Sequence, residues 1–157
     1  MDVSATKKAY KKWKLLDSFV YNDSSSECNS CEYGKELRDY KGNIYLGQSG
    51  EDLYKGRGTM IHASGNVYEG YWDSGLYSGK GRLISFNGRI YEGEWLKNKP
   101  EGRGKLVYEN GDIYVGSMAD GKRNGVGTLK YRDGSQFQGN WHSDVKMQGK
   151  LTEKNNS

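Results

Sequence analysis

Tyr68-Glu69-Gly70-Tyr71-Trp72 returns 23 residues later as Tyr91-Glu92-Gly93-Glu94-Trp95, and Gly79-Lys80-Gly81-Arg82-Leu83 returns as Gly102-Arg103-Gly104-Lys105-Leu106. The step continues outward in both directions. Tyr45, Tyr68, Tyr91, Tyr114 and Phe137 are each followed two residues later by glycine, and Gly42, Gly65, Gly88, Gly111 and Gly134 keep the same spacing. A fixed period of this length marks a repeat architecture in which each unit is one supersecondary element. Three glycine clusters per unit rule out a helix of useful length, and the segments between them alternate with period two, the signature of strands. Each unit is therefore a β-hairpin, and the pairs Asn87-Gly88, Asn110-Gly111 and Asp133-Gly134 are the turns that lead into the next one.

In the second unit strand one is expected over about Asn66 to Trp72 and strand two over about Gly79 to Phe86. If Trp72 faces Gly79, then Tyr71 faces Lys80, Glu69 faces Arg82 and Val67 faces Ile84 on one side of the sheet. The other side pairs Tyr68 with Leu83 and Gly70 with Gly81. The third unit in this register sets Glu92 against Lys105 and Glu94 against Arg103, so opposite charges meet in successive hairpins. One side is then a polar ladder and the other an aromatic one, with each ring recurring at about 9 to 10 Å, twice the strand spacing. Bare glycine backbone beside the rings lets them lie on the sheet, and with no second layer they are expected to stay partly exposed.

These residues resemble MORN (membrane occupation and recognition nexus) repeats, whose pattern runs Y-x-G-x-W, a short loop, G-x-x-x-G-x-G and a hydrophobic residue. Tyr68 to Trp72 with Gly75 to Leu83, and Tyr91 to Trp95 with Pro100 to Leu106, carry the resemblance. The first unit departs with Ser49 and the fourth with Met118 in the Trp position, and the fifth opens on Phe137 and ends one residue early. Such weaker end units suit caps, and Leu37 to Tyr40 is a candidate half-hairpin over the first edge. The resemblance implies an all-β, elongated, single-layer twisted antiparallel sheet of about five units over residues 37–151. It also implies a scaffolding role, often at the cytoskeleton, a cilium or a membrane-linked structure, or as the regulatory partner of an enzyme. Residues 1–36 form a basic extension and polar linker, with a short helical or irregular start, and residues 152–157 a polar tail.

Composition agrees with a shallow fold. Hydrophobic residues make up 34% of the 157 while aromatics reach 13%, with 13 Tyr and 4 Trp beside 23 Gly. A disordered chain is poor in aromatics, and a thick two-layer core needs more aliphatics. The net charge of +4 is spread over both signs, so no nucleic-acid partner is indicated. No uninterrupted apolar segment opens the sequence, which gives a cytoplasmic expectation with Cys28 and Cys31 as reduced thiols. The two histidines, His62 and His142, are 80 residues apart in non-equivalent positions, and Cys28-x-x-Cys31 has no second ligand pair. No catalytic group, metal or cofactor is indicated, and the chain is expected not to be an enzyme.

Two binding surfaces follow. The aromatic ladder of Tyr68, Trp72, Tyr91, Trp95, Tyr114 and Trp141 is the expected site for an extended or helical segment of a protein partner. The alternative is an anionic phospholipid surface met by Arg82, Lys105 and the N-terminal lysines Lys7, Lys8, Lys11, Lys12 and Lys14. Those lysines surround Ala9, Trp13, Leu16 and Val20, which share one face if the segment is helical. The open edge at 137–151 is expected to associate with another chain.

Overall fold

The computed structural model describes residues 17, 19, 32–50 and 53–154. Eleven strands form one antiparallel sheet in which every strand pairs with its sequence neighbours: β1 Glu32–Arg38, β2 Ile44–Ser49, β3 Tyr54–Ile61, β4 Val67–Asp73, β5 Leu76–Ile84, β6 Ile90–Leu96, β7 Lys99–Val107, β8 Ile113–Ala119, β9 Lys122–Lys130, β10 Gln136–His142 and β11 Val145–Thr152. No helix occurs among the described residues. The N-terminal lysines, the helical reading of Ala9 to Val20, and Cys28 with Cys31 lie outside them. The first edge carries a full strand, β1, that begins before the half-hairpin read from Leu37.

Two kinds of turn alternate. Between units, Phe86-Asn87-Gly88 forms a three-residue loop: Gly88 N–H donates to the Ser85 carbonyl and Ser85 N–H to the Arg89 carbonyl, both at 2.9 Å. Gly88 sits at φ 99°, which places it in the left-handed position that closes such a loop. Within units, Ser74-Gly75, Lys97-Asn98, Asp120-Gly121 and Ser143-Asp144 have positive φ at both central residues, the type I′ pattern. The loops are also tied to each other. Asn43, Asn66 and Asp112 side chains each accept a backbone N–H from the next loop along, from Ala63, Phe86 and Arg132, at 2.9 Å.

The expected register holds from Val67↔Ile84 through Gly70↔Gly81 and then breaks. Tyr71 faces Ser78 rather than Lys80, and Trp72 faces Tyr77 rather than Gly79. The reason is the type I′ turn: Ser74-Gly75 lies nearer the start of the hairpin than the centre of the loop assumed between Trp72 and Gly79, so pairing continues past Trp72 to Asp73↔Leu76 and β5 absorbs Gly79 and Lys80 as a bulge. Gly79 takes φ 61° there, and Gly102 takes φ 66° in β7. Glu94 accordingly lies opposite Lys80 of β5, and Arg103 opposite Ser117 of β8, instead of facing each other. Gln48 and Glu94 bend over the bulge and accept the main-chain N–H groups of Arg57 at 2.6 Å and Arg103 at 3.3 Å. In the last unit Trp141 faces Lys146 and Gly139 faces Gly149, so β11 has Met147 and Gln148 where β7 has Glu101 to Arg103. The missing residue of the fifth unit is lost from the bulge, and the rest of the register survives.

Ten glycines line up across β2 to β11: Gly47, Gly58, Gly70, Gly81, Gly93, Gly104, Gly116, Gly127, Gly139 and Gly149, each opposite the next. A Cβ on Gly93 would stand 2.5 Å from Gly104 Cα and 2.6 Å from the Arg103 carbonyl oxygen. Backbone cannot step aside there as a side chain could. Gly93→Ala is expected to cost about 3 kcal/mol in urea unfolding, as overpacking does, whereas Gly111→Ala, at φ 92° with its nearest neighbour 3.6 Å away, should cost only the backbone strain of about 1 kcal/mol. The reverse order would show that the stripe tolerates side chains.

Candidate functional site

The ring face is a core built on a single sheet. Each first-strand tyrosine folds back over the glycine pair of its own hairpin: a Cβ on Gly104 would meet Tyr91 Oη at 2.4 Å, and one on Gly81 would meet Tyr68 Oη at 2.3 Å. The buried hydroxyls need acceptors, and each finds the carbonyl three residues on: Gln48 for Tyr45 (2.6 Å), Tyr71 for Tyr68 (2.9 Å), Glu94 for Tyr91 (3.0 Å) and Ser117 for Tyr114 (2.8 Å). The tryptophans bridge units. Trp72, Trp95 and Trp141 donate their indole N–H to the carbonyls of Gly58, Gly81 and Gly127 in the preceding unit, at 3.0 to 3.2 Å. Each also stands edge-to-face on neighbouring rings, four for Trp72, three for Trp95 and two for Trp141. Trp95, for example, meets Tyr91 at 5.1 Å and 84° and Tyr68 at 5.4 Å and 90°. Met118 interrupts the chain of rings in the fourth unit.

A further row lies above the rings. Position 54 and its equivalents at 77, 100, 123 and 146 hold Tyr, Tyr, Pro, Arg and Lys. Tyr54 stacks on Tyr45 at 4.2 Å, and Tyr77 on Tyr68 at 3.6 Å, nearly parallel at 5°. Arg123 places its guanidinium 4.2 Å over Trp141 and is held there by Asp144, whose carboxylate accepts its Nε–H at 2.9 Å and whose main-chain carbonyl accepts Nη2–H at 2.9 Å. Lys146 lies over Phe137 and Tyr131 at 5.3 and 4.9 Å. The lid row thus changes from aromatic to cationic along the array, while every unit keeps a first-strand ring below it, Tyr45, Tyr68, Tyr91, Tyr114 or Phe137. Next to it Tyr77 bonds His62, and Tyr108 stands between Arg89 at 5.1 Å and Arg123 at 5.9 Å, beside a hollow of about 350 Å³ that reaches Leu129.

All six ring residues singled out from the sequence join one cluster, but not as a partly exposed surface. Tyr68 and Tyr114 have no exposure, and Trp72, Tyr91, Trp95 and Trp141 are at most 4% exposed. Glycine lets the rings sink onto the backbone, and the lid row shuts over them. The sequence reading missed that row because its residue type varies. Only its constant 23-residue step was available as a signal.

The polar face holds Arg82 and Lys105 in unlike settings. Arg82 is buried and paired with Glu69 at 2.9 Å, while Lys105 is exposed. Lys80 lies across from Glu94, and Lys105 from Glu92, as the strands pair. Among the described residues, however, neither these lysines nor Arg103 forms an ion pair, so the expected charge neutralisation is confined to Arg82 and Glu69. No group of three His, Cys, Asp or Glu able to hold a metal is found among the described residues, and no described helix is long and apolar enough to cross a membrane.

The architecture defines a class: an open single-sheet array of hairpins, each locked to the next by a ring on glycine. The MORN repeat family matches residues 68–88, 91–113 and 114–136 in succession, so this stretch of the chain is a run of three MORN repeats. Such repeats are commonly protein- or membrane-interaction modules and are generally non-catalytic. No curated protein matches the chain. Among solved structures, the SAS-4 (dCPAP) TCP domain of Drosophila melanogaster, in complex with a proline-rich motif of Ana2 (dSTIL), is similar at 13% identity over 89% of this chain and 99% of that one, with a TM-score of 0.32.

Trp95→Ala removes a buried ring, its indole hydrogen bond and three edge-to-face contacts, and is expected to cost about 3 to 5 kcal/mol in thermal or urea melts. Glu92→Ala, on the exposed polar face, should leave stability almost unchanged. Equal losses would invert this assignment of faces. Burial also pushes the Tyr114 hydroxyl from its ordinary value of 10.0 up to about 12, with Arg123 opposing in part. Because the folded value is the higher, the stabilisation it confers is complete below about pH 10 and is lost as pH rises to about 12. Urea midpoints measured across that window should fall, and Tyr114→Phe should flatten the slope. An unchanged slope would mean that the hydroxyl titrates as if solvated.

Proposed function

We propose that the chain is a non-catalytic scaffold module of a cytoplasmic assembly, at the cytoskeleton or a cilium, that holds a partner polypeptide along its ring face. The observation that carries this reading is the lid row. Tyr68, Trp72, Tyr91, Trp95, Tyr114 and Trp141 form a rigid floor, and Tyr54, Tyr77, Pro100, Arg123 and Lys146 are what that floor presents. A constant support with a variable top row is how a repeat array combines one fold with a selective surface. An extended or helical segment laid along it would meet aromatic area at one end and cations at the other, with Tyr108 and Tyr131 alongside. The edge of β11 extends the scaffold role. Its eight residues are exposed, and β10 is its partner among the described strands, so a strand of another chain can add there.

A second reading, contact with anionic phospholipid, is favoured by the exposed Lys80, Arg103 and Lys105, which form no ion pair among the described residues. The two readings separate by mutation and salt. Affinity capture from the native source should lose its bound proteins with Tyr77→Ala plus Arg123→Ala, and keep them in about 0.5 M salt, where attraction between exposed charges is screened. If capture instead fails with Lys80→Glu, Arg103→Glu and Lys105→Glu, and phosphatidylserine vesicles bind the parent chain in low salt, the lipid reading replaces the first.

A further inference from the structure

The polar face is covered in one place. Val67 and Ile84, opposite each other on β4 and β5, are fully buried, and Tyr71 and Arg82 are nearly so. One unit along, Ile90 and Val107 are half-buried and Lys105 is exposed. The described residues that lie against this covered patch are Asp17 and Phe19. The Asp17 main-chain oxygen accepts a hydrogen bond from Arg82 Nη2 at 2.9 Å, and the guanidinium lies 5.9 Å from the centre of the Phe19 ring.

Arg82 is incompletely satisfied by this arrangement. Its side chain is 8% exposed, and Nη2 serves both Glu69 and the Asp17 carbonyl, while Nε is buried with no hydrogen-bond partner. Nε and Nη2 form the edge of a guanidinium that matches the two oxygens of a carboxylate. A main-chain carbonyl has one oxygen and no charge, so it fills half of that edge. The chain's own segment is therefore a weaker ligand for Arg82 than a carboxylate would be.

The chemistry continues beyond the patch. A hollow of about 370 Å³ opens over β6 to β9, walled by Glu92, Arg103, Lys105, Val115 and Val126. The valines are 53% and 64% exposed, which offers apolar area between the cations. From β3 to β7 this face carries Arg57, Lys80, Arg82, Arg103 and Lys105 against Glu69, Glu92 and Glu94, a surplus of positive charge.

We propose that Arg82 anchors a second docking surface, for an acidic partner segment bearing an aromatic residue, and that Asp17 and Phe19 occupy the anchor until that segment displaces them. The incoming carboxylate takes the Nε and Nη2 edge, its neighbouring ring takes the place of Phe19, and further acidic residues run over Arg103 and Lys105. The surface is distinct from the lid row and lies on the opposite side of the sheet, so one array can hold two partners at once.

The test uses the full chain and a fluorescein-labelled peptide, Gly-Glu-Asp-Ser-Phe-Glu-Gly, followed by fluorescence anisotropy. Phe19→Ala should tighten binding about tenfold, the factor by which a site closed nine-tenths of the time is masked. Arg82→Gln should abolish binding. Because that buried change can also unfold the unit, Arg103→Gln with Lys105→Gln, both exposed, should weaken binding severalfold with an unaltered melt. The same peptide with amides in place of its carboxylates should not bind. Unchanged or weaker binding by Phe19→Ala, no effect of the Arg103 and Lys105 changes, or equal binding of the amide peptide would overturn the proposal. Binding of phosphatidylserine vesicles without binding of the peptide would overturn it in favour of a membrane surface.

Discussion

A tyrosine ring resting on bare glycine backbone is the contact from which the rest of this sheet follows. An open single sheet has no second layer to bury its apolar face, and ordinary side chains standing upright on it would remain wet. Removing Cβ from every residue of one stripe lets each ring lie flat across its hairpin, so the sheet buries its own side chains against its own main chain. The hydroxyl then reaches a carbonyl three residues on, and the next tryptophan closes over the ring edge. Burial, hydrogen bonding and the link between units are thus one local arrangement repeated along the array.

Beside the ring contacts each hairpin carries a bulge, where the register shifts after the glycine pair. A glycine at positive φ begins the extra turn of chain in β5 and in β7, and a side chain from the facing strand, Gln48 or Glu94, accepts a main-chain N–H at the equivalent bulges of β3 and β7. The two glycines of each G-x-G therefore do different work: the first turns the backbone, and the second clears room for the ring. Because the bulge is set apart from the ring contacts, the last unit can shorten it by one residue and still bury Phe137 and Trp141.

With the rings committed to the fold, the exposed variation lies in what surrounds them. The lid row and the charged polar face carry the variation between units. They also differ in kind, since one is aromatic turning cationic and the other is a field of cations in which a single arginine is buried. A guanidinium held beside Glu69 with its Nε unmatched is poised for a better acceptor than a peptide carbonyl.

The 23-residue step, the hairpin as the repeating unit, the ring and polar faces, and the register from Val67 to Gly70 were legible in the sequence, because side-chain alternation and turn glycines are local properties of strands. The path after Gly70 was not. Lys97-Asn98 and Ser143-Asp144 lack the turn glycine, and their positive φ is imposed by the neighbouring strands and by the tie between adjacent turns. Ring exposure was not legible for a related reason: whether Tyr68 stands wet or lies buried depends on Tyr77 and Gly81 of β5 and Trp95 of β6 arriving around it. The docking of Phe19 near Arg82 spans more than sixty residues and no repeat, so no periodicity could announce it. Spacing determined the unit, and the meeting of distant surfaces decided which residues became core and which stayed exposed.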